Sequence, residues 1–230
     1  MKKITKLLTV ISLLGSFLPV GAQEYKTREV PNAPAFTAIE ISGGDINVFF
    51  SQGEGYSFSI NGPTKLVKAT KVKVKENTLF IDYNEPFFVG DDDLTMYVSA
   101  PQLNRISVSG EADFKSNNSF KGQELTIKTR QNGEVSMKNV AVNQVKIDSK
   151  GSSSVDLDYL ETNKISVSAL DRAEVELSGR TGQLEVIKKG MFAEIETEKL
   201  ITTQTFGSNG TNSTSKQVDK DGSVEFVFKD

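Results

Sequence analysis

The 230-residue chain contains no cysteine, no histidine and no tryptophan. Without cysteine an exported protein has no disulfide to lean on, so its stability must come from packing and β-ladders. Without histidine it lacks the commonest general base and the commonest transition-metal ligand. Ser-His-Asp and Cys-His nucleophilic sites are impossible, and zinc sites of the ordinary kinds are ruled out. Helical periodicity is almost missing, apart from a short helical turn near Thr64–Lys68. No basic stripe exists either, so the signature of nucleic-acid binding is absent.

Long apolar runs are confined to the N-terminus. Lys2, Lys3 and Lys6 precede an apolar stretch from Leu7 to Leu18, broken by Thr9, Ser12, Gly15 and Ser16. "PVGAQE" follows, with Val20 and Ala22 at the small-residue positions of a signal peptidase site. This pattern predicts a secretory signal peptide at residues 1–22, cleaved after Ala22. The alternative is an uncleaved anchor, but the core is short of the roughly 20 residues a spanning helix needs. No other segment is apolar enough to span a membrane. Cleavage removes three lysines and no acid, which takes the formal net charge from −3 to −6. A mildly acidic exported chain is poorly suited to anionic lipid or nucleic acid.

What is present is β texture and a repeat. Residues 23–35 are polar, carry Pro31 and Pro34, and read as a linker or an irregular entry strand. From Phe36 apolar residues alternate: Ile39, Ile41, a turn at Gly43-Gly44-Asp45, then Ile46, Val48 and Phe50. Tyr56/Phe58/Ile60, Val72/Val74 and Leu79/Ile81/Tyr83 continue the pattern. In the second half, strand-like triplets begin at Ile106, Leu125, Val145, Ile165 and Leu184, in steps of 19, 20, 20 and 19 residues. A second column follows at Val135, Val155, Val175 and Ile195. A third runs through Phe120, Val140, Leu160 and Leu200, and Arg180 breaks it. Bends carry Gly110, Gly133, Gly151 and Gly190, with Leu170-Asp171-Arg172 in their place on one rung. Such a period predicts coils of chain stacked one on the next, with like residues above like. The fold class is therefore all-β: a parallel β-helix of about twenty-residue rungs, with a β-rich N-terminal region. A last strand, Val224/Phe226/Phe228, is expected to cap or edge the stack.

The segments "FTAIEISGGDINVFFSQGEGYSFSINGP", "NTLFIDY" and "LTMYVSAPQLNRISVSGEADF" resemble the putative auto-transporter adhesin, head GIN domain family. The resemblance extends over about Phe36 to Val218, and its strongest element is "APQLNRISVSGEADF". It implies an exported protein with a right-handed, pectin-lyase-like β-helix, and one head GIN-like domain over residues 36–230. It implies surface adhesion and supplies no catalytic residue.

Several residue groups could carry chemistry. Asp91, Asp92 and Asp93 form the densest acidic cluster, a candidate for Ca²⁺. Adjacent residues of an extended segment point to opposite faces, which favours a solvated loop. Asp219-Lys220-Asp221-Gly222 resembles a fragment of a calcium loop but lacks the rest of its spacing, and Asp-Gly is also a hairpin turn. Asp156/Asp158 and Glu174/Glu176 have i, i+2 spacing, so each pair shares a face. Stacking could set Asp156 beside Glu176, the kind of carboxylate pair that hydrolyses glycans. The same alternation is what any solvent face shows. Phe49-Phe50 and Phe87-Phe88 each place one ring inward and one outward, with Phe50 and Phe88 the candidates for contacting a sugar or a partner chain.

These features point to a non-enzymatic cell-envelope or surface protein, periplasmic or outside the cell, that binds glycan or protein through flat β faces. No cofactor is implied. A polysaccharide-active enzyme or glycan-binding module is the alternative reading. A scaffold assembling into homo-oligomers through β-helix ends is another.

Overall fold

The computed structural model describes residues 24–83, 94–207, 214–218 and 224–228, the last two segments by their backbone. Residues 1–22, expected to be a signal peptide, the acidic run Asp91–Asp93, the pair Phe87-Phe88 and the Asp219–Gly222 motif lie outside the described residues. The described residues are 76% strand and 3% helix, built around a β-solenoid of about five turns of stacked parallel strands. The all-β solenoid read from the repeat is the fold observed.

The chain begins with β1 (Tyr25–Val30), β2 (Ala38–Gln52), β3 (Ser57–Pro63), the single-turn helix α1 (Thr64–Ala69), β4 (Lys71–Lys75), β5 (Thr78–Tyr83) and β6 (Leu94–Ala100). The solenoid continues through β7 (Arg105–Ser116), β8 (Phe120–Gln131), β9 (Glu134–Lys138), β10 (Val140–Gly151), β11 (Ser154–Asp171), β12 (Glu174–Lys189), β13 (Glu194–Glu196) and β14 (Leu200–Gly207). A separate antiparallel hairpin pairs β15 (Thr214–Val218) with β16 (Val224–Phe228). Within residues 23–35, residues 25–30 form a strand that pairs antiparallel with β3.

The order of rungs in space is not the order in sequence. β2 is an interior coil. It pairs with β5 and β6 on one side and with β7 on the other. The chain leaves β2, runs through β3, α1 and β4, and lays β5 and β6 beneath β2. It then crosses to the opposite edge of β2 to begin β7. After that, one coil follows the next.

Inward positions stack into apolar columns. Leu79, Ile39, Ile106, Ile127, Ile147, Val167 and Val186 follow one another across seven strands. Met96, Val48, Phe114, Val135, Val155, Val175 and Ile195 form a second column. All but Val186 and Ile195 are at most 1% exposed, and each full burial of such a side chain is worth about 1.5–3 kcal/mol. β-branched residues suit these sites because they pack well on a pleated surface.

Two registers differ from the sequence expectation. Ile106 pairs with Ile127, a step of 21, rather than with Leu125. A two-residue slip leaves every side chain on its own face, so alternation alone cannot detect it. The position is fixed by the bend, where Gly110 stacks on Gln131 and the Asn132 N–H donates to the Gly110 carbonyl at 3.0 Å. In the third column the residue opposite Leu160 is Gly179, not Arg180. The one-residue shortening falls at this corner, where Gly179 has φ +117° and a Cβ would meet the Leu160 backbone nitrogen at 2.4 Å. Arg180 then pairs with Glu161 on the outside.

The interior also holds a polar knot. Thr129, Ser149 and Ser153 are 0–1% exposed. Their hydroxyls form a triangle with sides of 2.7, 2.9 and 3.0 Å, and the Lys150 carbonyl is an alternative acceptor for the single Ser153 proton at 3.1 Å. Closing the triangle satisfies groups that would otherwise be costly to bury.

Candidate ligand-binding face

The second side of the solenoid is formed by the C-terminal half of β2 with β6, the end of β7, β9, the start of β11, the start of β12 and β13. Its registers place one outward column across nine strands: Glu29, Ser59, Tyr97, Phe49, Lys115, Ser136, Asp156, Glu176 and Glu196. The face is graded. It is aromatic and hydroxyl-rich at the N-terminal coils and acidic at the C-terminal ones.

At the aromatic end the rings of Phe49 and Tyr97 stack with centroids 5.5 Å apart and planes 23° apart. Tyr97 is 51% exposed. It borders a concavity of about 350 Å³ lined by Phe58, Pro31, Glu29 and four serines, Ser51, Ser57, Ser59 and Ser99. Leu94, Met96, Val98 and Ala100 turn inward along β6, so Tyr97 must turn outward. That alternation was legible in the sequence. Its apposition to Phe49 was not, because it depends on β6 lying beneath β2.

Phe50, expected to contact a ligand, is fully buried. It stacks on Phe114 at 5.9 Å and meets Phe120 edge-on at 6.3 Å. It shares the inward parity of Ile46 and Val48, which makes Phe49 the surface member of the pair. Phe88, the second aromatic expected to make contact, lies outside the described residues, as do Asp91, Asp92 and Asp93.

At the acidic end the expected neighbours meet, Asp156 pairing with Glu176, and Glu196 extends the row beside Glu176. Burial pushes the Asp156 carboxyl above its ordinary range, and the charges of Asp158 and Glu176 push it further, against the pull of Lys138 and a hydrogen bond with Ser136. Cations answer part of this charge. Lys199 Nζ lies 3.0 Å from Glu176, and Lys138 Nζ lies 3.7 Å from Asp158. The hydrogen bond with Glu176 holds the Lys199 ammonium above its usual range. Ser178 donates to Asp158 at 2.9 Å and accepts the Tyr159 N–H at 3.1 Å. Glu174, Glu194 and Glu196 can bring carboxylate oxygens within 4.8 Å of one another, all three exposed. These carboxylates stand on an open, solvated face.

The profile of the family described as "Putative auto-transporter adhesin, head GIN domain" matches residues 35–158. The chain belongs to this family. Solved structures of other proteins share its fold. A putative adhesin from Parabacteroides merdae ATCC 43184 is 20% identical, with a TM-score of 0.71 over 80% of this chain and 77% of that one. A putative adhesin from Parabacteroides distasonis ATCC 8503 is 18% identical, with a TM-score of 0.72 over 81% and 79%. A putative lipid binding protein from the same strain is 15% identical, with a TM-score of 0.68 over 80% and 77%. No curated protein matches the sequence. Family membership supports an adhesin-like surface protein. Among the described residues no helix is long and apolar enough to cross a membrane.

Proposed function

We propose that this protein is an exported, non-enzymatic adhesin that binds a glycan through the aromatic end of its flat second face. The observation that carries the reading is Tyr97, half exposed and stacked on Phe49, at the rim of a concavity lined by four serines. A sugar ring offers an apolar face and a belt of hydroxyls. An aromatic platform receives the first and serine hydroxyls hydrogen-bond the second. Export is supported by the N-terminal signal pattern and by the family to which the chain belongs. A non-enzymatic role accords with stacked carboxylates that stand on an open face and are partly paired with lysines.

The test is binding of the mature chain, Gln23 to Asp230, to arrayed glycans and extracellular proteins, with parallel wells assayed for released sugar. Saturable glycan binding without release is expected, and Tyr97→Ala should weaken it by about tenfold or more, the scale of one lost ring contact. Sugar release, or binding indifferent to Tyr97, would overturn the reading.

A further inference from the structure

The third corner of the solenoid, which the adhesin reading does not use, carries a second concavity. Two depressions of about 550 and 570 Å³ share Gly122 and Ala141, and so form one groove. The groove runs along the stack from Thr37 and Asn104, just ahead of β2 and β7, across β8, β10, β11 and β12 to Thr203 of β14. Its strand-built part, from β8 to β14, covers four strand spacings, roughly 19 Å. Its depth comes from small residues. Ala141 sits in the outward column between Lys121 and Glu161, and Gly122 sits beside Val142, whose other neighbour is Thr162.

One wall is a ladder of amides. Asn143 donates to Gln123, and Asn163 Nδ2 donates to Asn143 Oδ1 at 3.5 Å. A primary amide has two N–H donors. Asn143 and Asn163 therefore each retain one beyond the ladder, repeated at the ~4.8 Å spacing of the strands. The groove's charges balance, Lys121 and Arg180 against Glu124 and Glu161.

From this geometry we infer that the third-corner groove is a binding site for a linear, neutral oligosaccharide. A regular row of amides along a groove of balanced charge matches a polymer that repeats hydroxyls and carries no charge. An extended peptide fits less well. β8, β10, β11 and β12 are each hydrogen-bonded on both sides, so no strand edge is open to backbone pairing. The residues lining the groove include no aromatic ring to anchor a side chain. The site is separate from the Tyr97 concavity, and each can stand or fall alone.

The test is a backbone-amide NMR titration of the mature chain with cellohexaose, mannohexaose and xylohexaose in turn. Saturable shifts clustered at Gly122, Ala141, Asn143, Asn163 and Gly182 are expected with at least one of them. Ala141→Trp should fill the groove and weaken that binding by about tenfold or more, on the scale of a lost pair of hydrogen bonds. Gly122→Asn provides an independent block, since a Cβ there meets only ordinary contacts, 3.5 Å from the Phe120 ring. Both variants should keep the wild-type unfolding midpoint, and Tyr97→Ala should leave the groove shifts unchanged. Shifts confined to the surroundings of Tyr97 and Ser99 would overturn the groove and leave the aromatic site standing. No shift with any of the three sugars would overturn it too. An extended peptide of equal length that reproduced the groove shifts would overturn the carbohydrate class.

Discussion

Gly110 lies directly on Gly43, 67 positions away in sequence, so closely that a Cβ on Gly110 would stand 1.8 Å from the Gly43 carbonyl oxygen. Their φ angles are +89° and +123°. They begin a column of left-handed bends, Gly43, Gly110, Gln131, Gly151 and Asp171, stacked rung upon rung. Gly110→Ala meets both strain and backbone overlap and should cost about 3 kcal/mol or more. Gly122→Ala, whose Cβ meets only ordinary van der Waals contacts, should stay within about 1 kcal/mol. Urea denaturation of the two variants checks the contrast, and equal midpoints would refute the stack.

Val155 sits between Val135 and Val175 with no exposed surface. Val155→Asp places an unpaired charge in the second column, at a cost on the order of 3–5 kcal/mol. Thermal melting reads the effect directly. A wild-type melting temperature would mean the register is wrong.

Ser149 closes the buried triangle with Thr129 and Ser153. In Ser149→Ala those two hydroxyls keep their mutual bond, 3.0 Å long. The loss should therefore be modest, about 0.5–1.5 kcal/mol. Chemical denaturation would show otherwise if the variant lost more than Val155→Asp.

Asp156 binds its proton more tightly in the folded chain than in the unfolded one, through burial and the charges of Asp158 and Glu176. Its ionised form therefore opposes folding. This cost is fully present above the raised folded value and fades as pH falls through it toward the ordinary 3.8. Asp156→Asn should be the more stable protein at pH 7, by about 0.2–1 kcal/mol for a partly exposed charge. The difference should close on acidification. Denaturation midpoints at pH 7 and pH 4 test the sign. A variant less stable than wild type at pH 7 would refute it.

The solenoid was legible because its period is written twice over, in the spacing of apolar pairs and in the alternation within them. Val135, Val155 and Val175 stack as their spacing of twenty implies. The meeting of Asp156 with Glu176 follows from the same arithmetic. Failures arise where periodicity carries no information. The two-residue slip between β7 and β8 preserves every face, and the shortening at Gly179 shifts a corner without disturbing the columns on either side. Phe49 and Phe50 needed only the parity of Ile46 and Val48 to be sorted. The groove of the third corner was hidden because small residues there read as ordinary variation, until the register set Gly122 and Ala141 among longer neighbours.

Local pattern by itself determined which residues turn inward, because the side-chain period of a strand is two and water enforces it on each segment separately. It also determined that coils stack, because a twenty-residue repeat returns like residues to the same side. Tertiary structure alone decided that β2 is an interior rung with β5 and β6 beneath it. That placement depends on contacts between segments far apart in the chain, which no local period encodes. From it came the pairing of Tyr97 with Phe49, and so the aromatic end of the face on which the proposed function rests.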